Sequence, residues 1–159
     1  MTSARSAFIG AALAGLLTFT GTAVVSAPNA GADPVADTFA PAAAPVDFFN
    51  LVNVTRAGVG VRALGYDAGL SAYAQAQAQA MANAGTIFHS DITALMNAYG
   101  YSTVGENVGV GPSAVAINGA LNASPSHYAN LISGRFSAMG VGVAVGADGR
   151  IYTAHEFAA

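Results

Sequence analysis

The chain has 159 residues, 53% of them hydrophobic and only 8% charged, which suits one domain able to close its own core. It contains no cysteine and no lysine, which excludes disulfides, a thiol nucleophile, thiolate metal ligands and an amino-terminal lipid-modified cysteine. From Asp33 onward four arginines face eight acids, a net charge of −4. Without clustered cations, nucleic acid is not an expected partner.

Residues 1–32 read as a secretory signal, with Arg5 in a short polar start, an apolar run from Ala7 to Val25 and the small-residue site Ala30-Gly31-Ala32. Cleavage before Asp33 is expected, giving a secreted, extracellular or cell-envelope protein. Membrane attachment would require an uncleaved signal, but glycines interrupt the run and no basic stop-transfer cluster follows. Residues 33–45 are Ala/Pro-rich without a period that could bury a face, and read as a linker. The domain is expected over residues 46–159.

Asp47 is the expected cap of a first helix, with Phe48, Leu51, Val52 and Val54 on its apolar side and an end near Gly58. A short extended segment should then tuck Leu64 and Tyr66 against the core. Asp67 opens a second helix that Gly85 stops. Its Ala/Gln alternation from Ala74 to Ala80 has the period of a strand, but Ala and Gln favour helix, and Leu70, Ala74, Ala78 and Met81 form a helical stripe. Small alanines there would admit close approach of a neighbour.

His89 lies just past that helix, and residues 91–98 suit one or two more helical turns capped by Ser90 or Asp91. The glycine-rich stretch Gly100 to Gly111 holds Gly105-Glu106-Asn107, then the β-favouring Val108 and Val110. No helix with Lys or Ser/Thr follows in P-loop spacing, so a nucleotide site is not expected. Ser113 to Leu121 is mildly helical. Ser124 suits an N-cap with Pro125 at the first helical position, placing His127 in a first turn that disfavours the imidazolium. Met139 to Val145 and Arg150 to Phe157 read as strands of a hairpin turning at Ala147-Asp148-Gly149. Helices followed by antiparallel strands indicate an α+β fold.

Asn53 with Arg56, then Leu64, Asp67 and Leu70, the Ala/Met helix, His89-Ser90, Gly105-Glu106-Asn107, Ser124 to Leu131 with its histidine, Gly140 to Val143 and Tyr152 to Phe157 stand in a recognisable order. Over residues 46–159 the chain resembles the CAP superfamily, in its short, secreted, bacterial SCP-like branch. The resemblance implies a three-layer α-β-α sandwich with a small antiparallel sheet and a central cleft. In that family two histidines and two acids face the cleft and can hold a divalent cation, commonly zinc. His89, Glu106 and His127 match three of those positions. The fourth acid has no match, since Glu156 lies in the last strand, and Ala120 stands where a bulky aromatic is usual.

Two imidazoles and a carboxylate would be an acceptable zinc set with an open fourth position; a hydrogen-bonded polar cluster tying helices to the sheet is the competing expectation. Ser90 and Ser126 neighbour histidines, but no G-x-S-x-G elbow is present, so serine hydrolysis is not expected. His155 and Glu156 are further cleft candidates. Adjacent strand residues face opposite ways, so at most one should reach the cleft, and a solvated strand end is the ordinary reading. Asn53 and Arg56 are expected to close helix and loop carbonyls. The expected function is a monomeric, non-enzymatic binding module with a His/Glu/His cleft for a lipid or sterol, a peptide, a cell-wall component or a divalent metal. The alternatives are a metal-dependent peptidase using Glu106 as general base and a purely structural envelope protein.

Overall fold

The computed structural model describes residues 45–159, so the expected signal, its cleavage site and the linker up to Ala44 lie outside the described residues. Five helices and four strands follow in chain order: α1 (Pro45–Gly58), β1 (Gly65–Tyr66), α2 (Ala68–Ala84), α3 (Ile92–Tyr99), β2 (Val104–Gly111), α4 (Ala114–Ala123), α5 (Pro125–Leu131), β3 (Ala138–Val145) and β4 (Ile151–Ala158). The sheet order is β1-β3-β4-β2. The long strands pair antiparallel, but β1 runs parallel to β3, so the sheet is mixed rather than wholly antiparallel.

Helices cover both faces, which gives the three-layer α+β sandwich. On one face α1, α4 and α5 pack with Phe48, Val52, Ile117, Leu121, Leu131, Phe136 and Phe157. On the other, α2 and α3 pack with Leu70, Ala74, Ala78, Met81, Leu95, Tyr152 and Ala154. The four expected stripe residues of α2 are all fully buried. They meet β3 at Gly140 and Gly142, where a Cβ would run into the backbone of Leu70–Ser71 and Ala74–Gln75. The helix therefore lies on bare strand backbone.

Polar side chains of α2 also dress the β3 edge beyond the two-residue β1. Gln75 Nε2 donates to Val143 O (2.9 Å) and its Oε1 accepts from Val143 N–H (3.0 Å), while Ser71 Oγ accepts from Val141 N–H (3.3 Å). Asp67 caps α2 through Leu70 N–H, and Gly85 ends it with φ of 66°.

Three local expectations change. α1 starts at Pro45, with proline in the first turn and Asp47 inside the helix rather than capping it. Its buried side is Phe48, Val52 and Arg56, and Val54 is exposed. Tyr66 is exposed as well, because β1 is a sheet edge and only Leu64 turns inward. Arg56 is 1% exposed, and its guanidinium donates to Arg62 O, Leu131 O and Ser133 O at 2.8–2.9 Å, joining α1 to the end of α5. Asn53 both donates to and accepts from the Leu64 backbone. Both residues close carbonyls as the sequence indicates.

Candidate functional site: a histidine–glutamate cleft beside an edge strand

The site forms where the α2–α3 loop meets the edge strand β2. Gln77 of α2 donates to Phe88 O at 2.6 Å, and Asp91 caps α3 through Thr93 and Ala94 N–H. The loop between them is thus held at both ends, and it carries His89. His89 Nδ1 lies 2.5 Å from Glu106 Oε1, and Ser90 N–H donates to both carboxylate oxygens at 3.1 and 3.2 Å. The Glu106 side chain is 1% exposed and that of His89 is 63% exposed. The carboxylate is a buried anchor, and the imidazole is the group presented outward.

The neighbours of Glu106 have separate tasks. At Gly105 a Cβ would collide with the Phe136 ring. Asn107, fully buried, donates to His127 O (3.0 Å), and Asn130 donates to Asn107 Oδ1 (2.9 Å) and Glu106 O (3.2 Å). These amides bind α5 to β2. Sequence reasoning gave the asparagines no role, although Asn130 stands three residues after His127 and so shares its side of a helix.

Two hollows follow β2. One, of about 390 Å³, is lined by His89, Ser90, Ile92, Val104, Glu106 and Asn130. The other, of about 240 Å³, lies along Val108–Val110 between Ile87, Ile117, Ala120, Leu121 and His127. His89 lines the first hollow and His127 the second. Burial, and after it the charge of His89, holds His127 below the usual histidine range. This is the direction expected from a helix N-terminus, but the dominant cause is burial. Ser124 occupies the N-cap position without a side-chain cap bond; its Oγ lies 3.4 Å from Ser126 Oγ.

The structure brings His89 and Glu106 into contact, and His127 lines the neighbouring hollow. His89 Nδ1 and the Glu106 oxygens are spent on each other and on Ser90. Among the described residues no three His, Cys, Asp or Glu side chains are grouped so that they could hold a metal ion. A carboxylate behind Nδ1 is also how metal-ligating histidines are held, with Nε2 of His89 left outward.

His155 and Glu156 are not a solvated strand end, because helices cover both faces of β4; each is fully buried. They point opposite ways, as strand geometry requires. His155 meets the ring edges of Phe48 and Phe157. Burial, with His127 second, lowers its imidazole to about 3. Glu156 faces the α2 side and is in register with Glu106. Burial first, then the Glu106 charge, raise its carboxyl to about 9.

Comparison with known proteins agrees with this architecture. The family described as CAP, cysteine-rich secretory protein family, matches residues 49–156. A search of the curated proteins finds no match. Among solved structures the chain is similar to an outer surface protein from Borrelia burgdorferi, with TM-score 0.64 and 19% identity over 69% of this chain and 87% of that one. It is also similar to an extracellular SCP-domain protein of Bacillus anthracis (TM-score 0.60, 22% identity, 71% of this chain) and a cysteine-rich secretory protein of Staphylococcus aureus (TM-score 0.60, 19% identity, 72% of this chain). It spans only 39% and 38% of those two chains. At such identities these likenesses speak for the fold alone, and the match to the family covers most of the described domain. The chain belongs to the CAP, or cysteine-rich secretory protein, family, here without a single cysteine.

Proposed function

We propose that the chain is a secreted, non-enzymatic binding module of the cell envelope that takes an amphiphilic ligand, a lipid or sterol, along β2. The observation that carries this reading is the division of labour between His89 and Glu106. A general base for hydrolysis must reach the water it activates, whereas Glu106 is buried and already accepts from Ser90 N–H while pairing with His89. His89 offers an exposed polar group at one hollow, and Ile87, Val108, Ile117 and Leu121 make the other one apolar. A polar head at the first and an apolar body in the second match that lining. The matching family's description, cysteine-rich secretory protein, agrees with export.

The test is titration of the exported, mature protein with a fluorescent fatty acid and a fluorescent sterol, together with lipid extraction and mass spectrometry. Saturable binding of either probe is expected. No binding and no co-purifying lipid, or zinc-stimulated peptide cleavage lost in Glu106→Ala, would overturn the reading in favour of the peptidase.

A further inference from the structure

The two long edges of the sheet are finished differently. Along β3, beyond β1, the backbone groups that face away from β4 meet side chains of α2: Val141 N–H is taken by Ser71, and both backbone groups of Val143 by Gln75. Dressing an edge in this way keeps a further strand from adding to it. β2 is the opposite edge, and its ladder is closed only in part.

The register shows which groups remain. Ala159 N–H donates to Thr103 O (3.0 Å) and Thr103 N–H to Ala159 O (3.2 Å), so Thr103 and Ala159 are a hydrogen-bonded pair. Antiparallel pairs alternate. Gly105, Asn107, Gly109 and Gly111 therefore spend their backbone groups on β4, while Glu106, Val108 and Val110 aim theirs off the sheet. Glu106 O accepts from Asn130, as that geometry requires. Among the described residues nothing bonds to the outward N–H and C=O of Val108 or Val110.

These two residues form the floor of the hollow of about 240 Å³. Its walls come from opposite layers: Ile87 from the loop after α2, and Ile117, Ala120 and Leu121 from α4. Ile117 stands where a Cβ on Gly109 would be, so the α4 wall rises directly from strand backbone. The hollow is thus a slot that continues the plane of the sheet. Outward N–H and C=O groups on alternate residues recur about every 6.8 Å along a strand. An extended polypeptide matches that spacing, whereas a hydrocarbon body leaves such groups unpaired.

We propose that the Val108–Val110 edge receives an extended, uncharged, proline-free segment of a partner polypeptide, which adds to β2 as a further strand. Its main chain pairs with the two valines, and its alternate apolar side chains rest against Ile87 on one face and Ile117 and Leu121 on the other. The inference goes beyond the lipid reading, because it concerns the backbone of β2 rather than the apolar walls. A lipid in the hollow competes with the strand.

The experiment uses the full mature chain and blocked peptides of about seven residues, with Val, Leu or Phe at alternate positions and Thr between them. Saturable binding of at least one peptide is expected, and hydrogen exchange followed by NMR reads the edge directly. In the free protein Val108 and Val110 N–H should exchange about tenfold or more faster than Gly109 and Gly111 N–H, and saturating peptide should remove the difference. Val110→Pro deletes an outward N–H and leaves the bonds of Gly109 and Gly111 to β4, so it should weaken peptide binding about tenfold or more. If no peptide binds at about 1 mM, or binding leaves the exchange of Val108 and Val110 unchanged, the proposal fails. It also fails if those two amides are already protected in the free protein, because a second copy or another part of this chain then covers the edge. A fluorescent fatty acid titrated in parallel separates the two readings. Fatty-acid binding without peptide binding overturns the strand proposal alone; peptide binding without fatty-acid binding supports it and overturns the lipid reading. The wild-type exchange decides the matter even if the variant does not fold.

Discussion

Asn107 contributes as much to the cleft as either ionisable partner. It has no exposure, accepts from the Asn130 amide and donates to His127 O, the bond that fixes the start of α5. Truncation leaves those two partners facing an apolar gap. Asn107→Ala should cost about 1–3 kcal/mol in chemical denaturation and loosen α5, seen as faster amide exchange over residues 125–131. His89 and Glu106 were legible from their motifs, since a histidine beyond a helix stop and a glutamate between Gly and Asn are conspicuous in so uncharged a chain. Glu156 was named only as a further cleft candidate, because its register with Glu106 joins β2 and β4, which α4, α5 and β3 separate in the chain. Hairpin logic predicts β3–β4 contacts but not that third strand. His155 and Glu156 were misjudged for a related reason. A strand covered on both faces normally reads as a nearly continuous apolar run, and a His-Glu step looks like a break in one.

At the level of elements, the association of α2 with β3 depends on what is missing from the strand. Gly140 and Gly142 present bare backbone to Leu70, Ser71 and Ala74, and no rotamer change can relieve a clash between a Cβ and main-chain atoms. Gly142→Ala should therefore destabilise the fold by about 3 kcal/mol or more in urea denaturation, whereas Gly119→Ala, which meets nothing within 4 Å in helix α4, should be neutral or stabilising. The Ala/Gln alternation that mimics a strand resolves as helix with use made of both classes of side chain. Its alanines permit the close approach, and Gln75 and Gln77 bond strand β3 and the His89 loop. Propensity and spacing were enough to place α2, the hairpin and the cap at Asp67, and narrowed the cap of α3 to Ser90 or Asp91, of which Asp91 is the one used. The parallel two-residue β1 escaped because so short an edge strand has no pattern of its own.

For the whole molecule, His155 and Glu156 set opposite limits on pH stability. A histidine lowered from 6.5 to about 3 on folding binds fewer protons than in the unfolded chain, so its contribution falls as pH drops through that window. A glutamate raised from 4.5 to about 9 binds more protons when folded, so stability falls as pH rises from 4.5 towards 9. Between 4.5 and 6.5 the two slopes oppose each other. Thermal melts should show a plateau of stability in roughly that range and a decline on both sides. Glu156→Gln should flatten the alkaline limb and His155→Phe the acid limb. Melts that improve steadily from pH 5 to pH 9 would rule out the buried acid.

Ala120 gives the most direct access to the central claim, that the hollow beside β2 receives an apolar ligand. Ala120 is exposed at the mouth of the hollow lined by Ile117, Leu121 and His127, so a large ring there fills space without entering the core. The decisive measurement is the affinity of the mature protein for the fluorescent fatty acid or sterol, compared with that of Ala120→Trp. Saturable wild-type binding, weakened about tenfold or more in the variant (at least about 1.4 kcal/mol) with an unchanged melting temperature, is the predicted result. Equal affinity in the two proteins, or no binding by either, would contradict it.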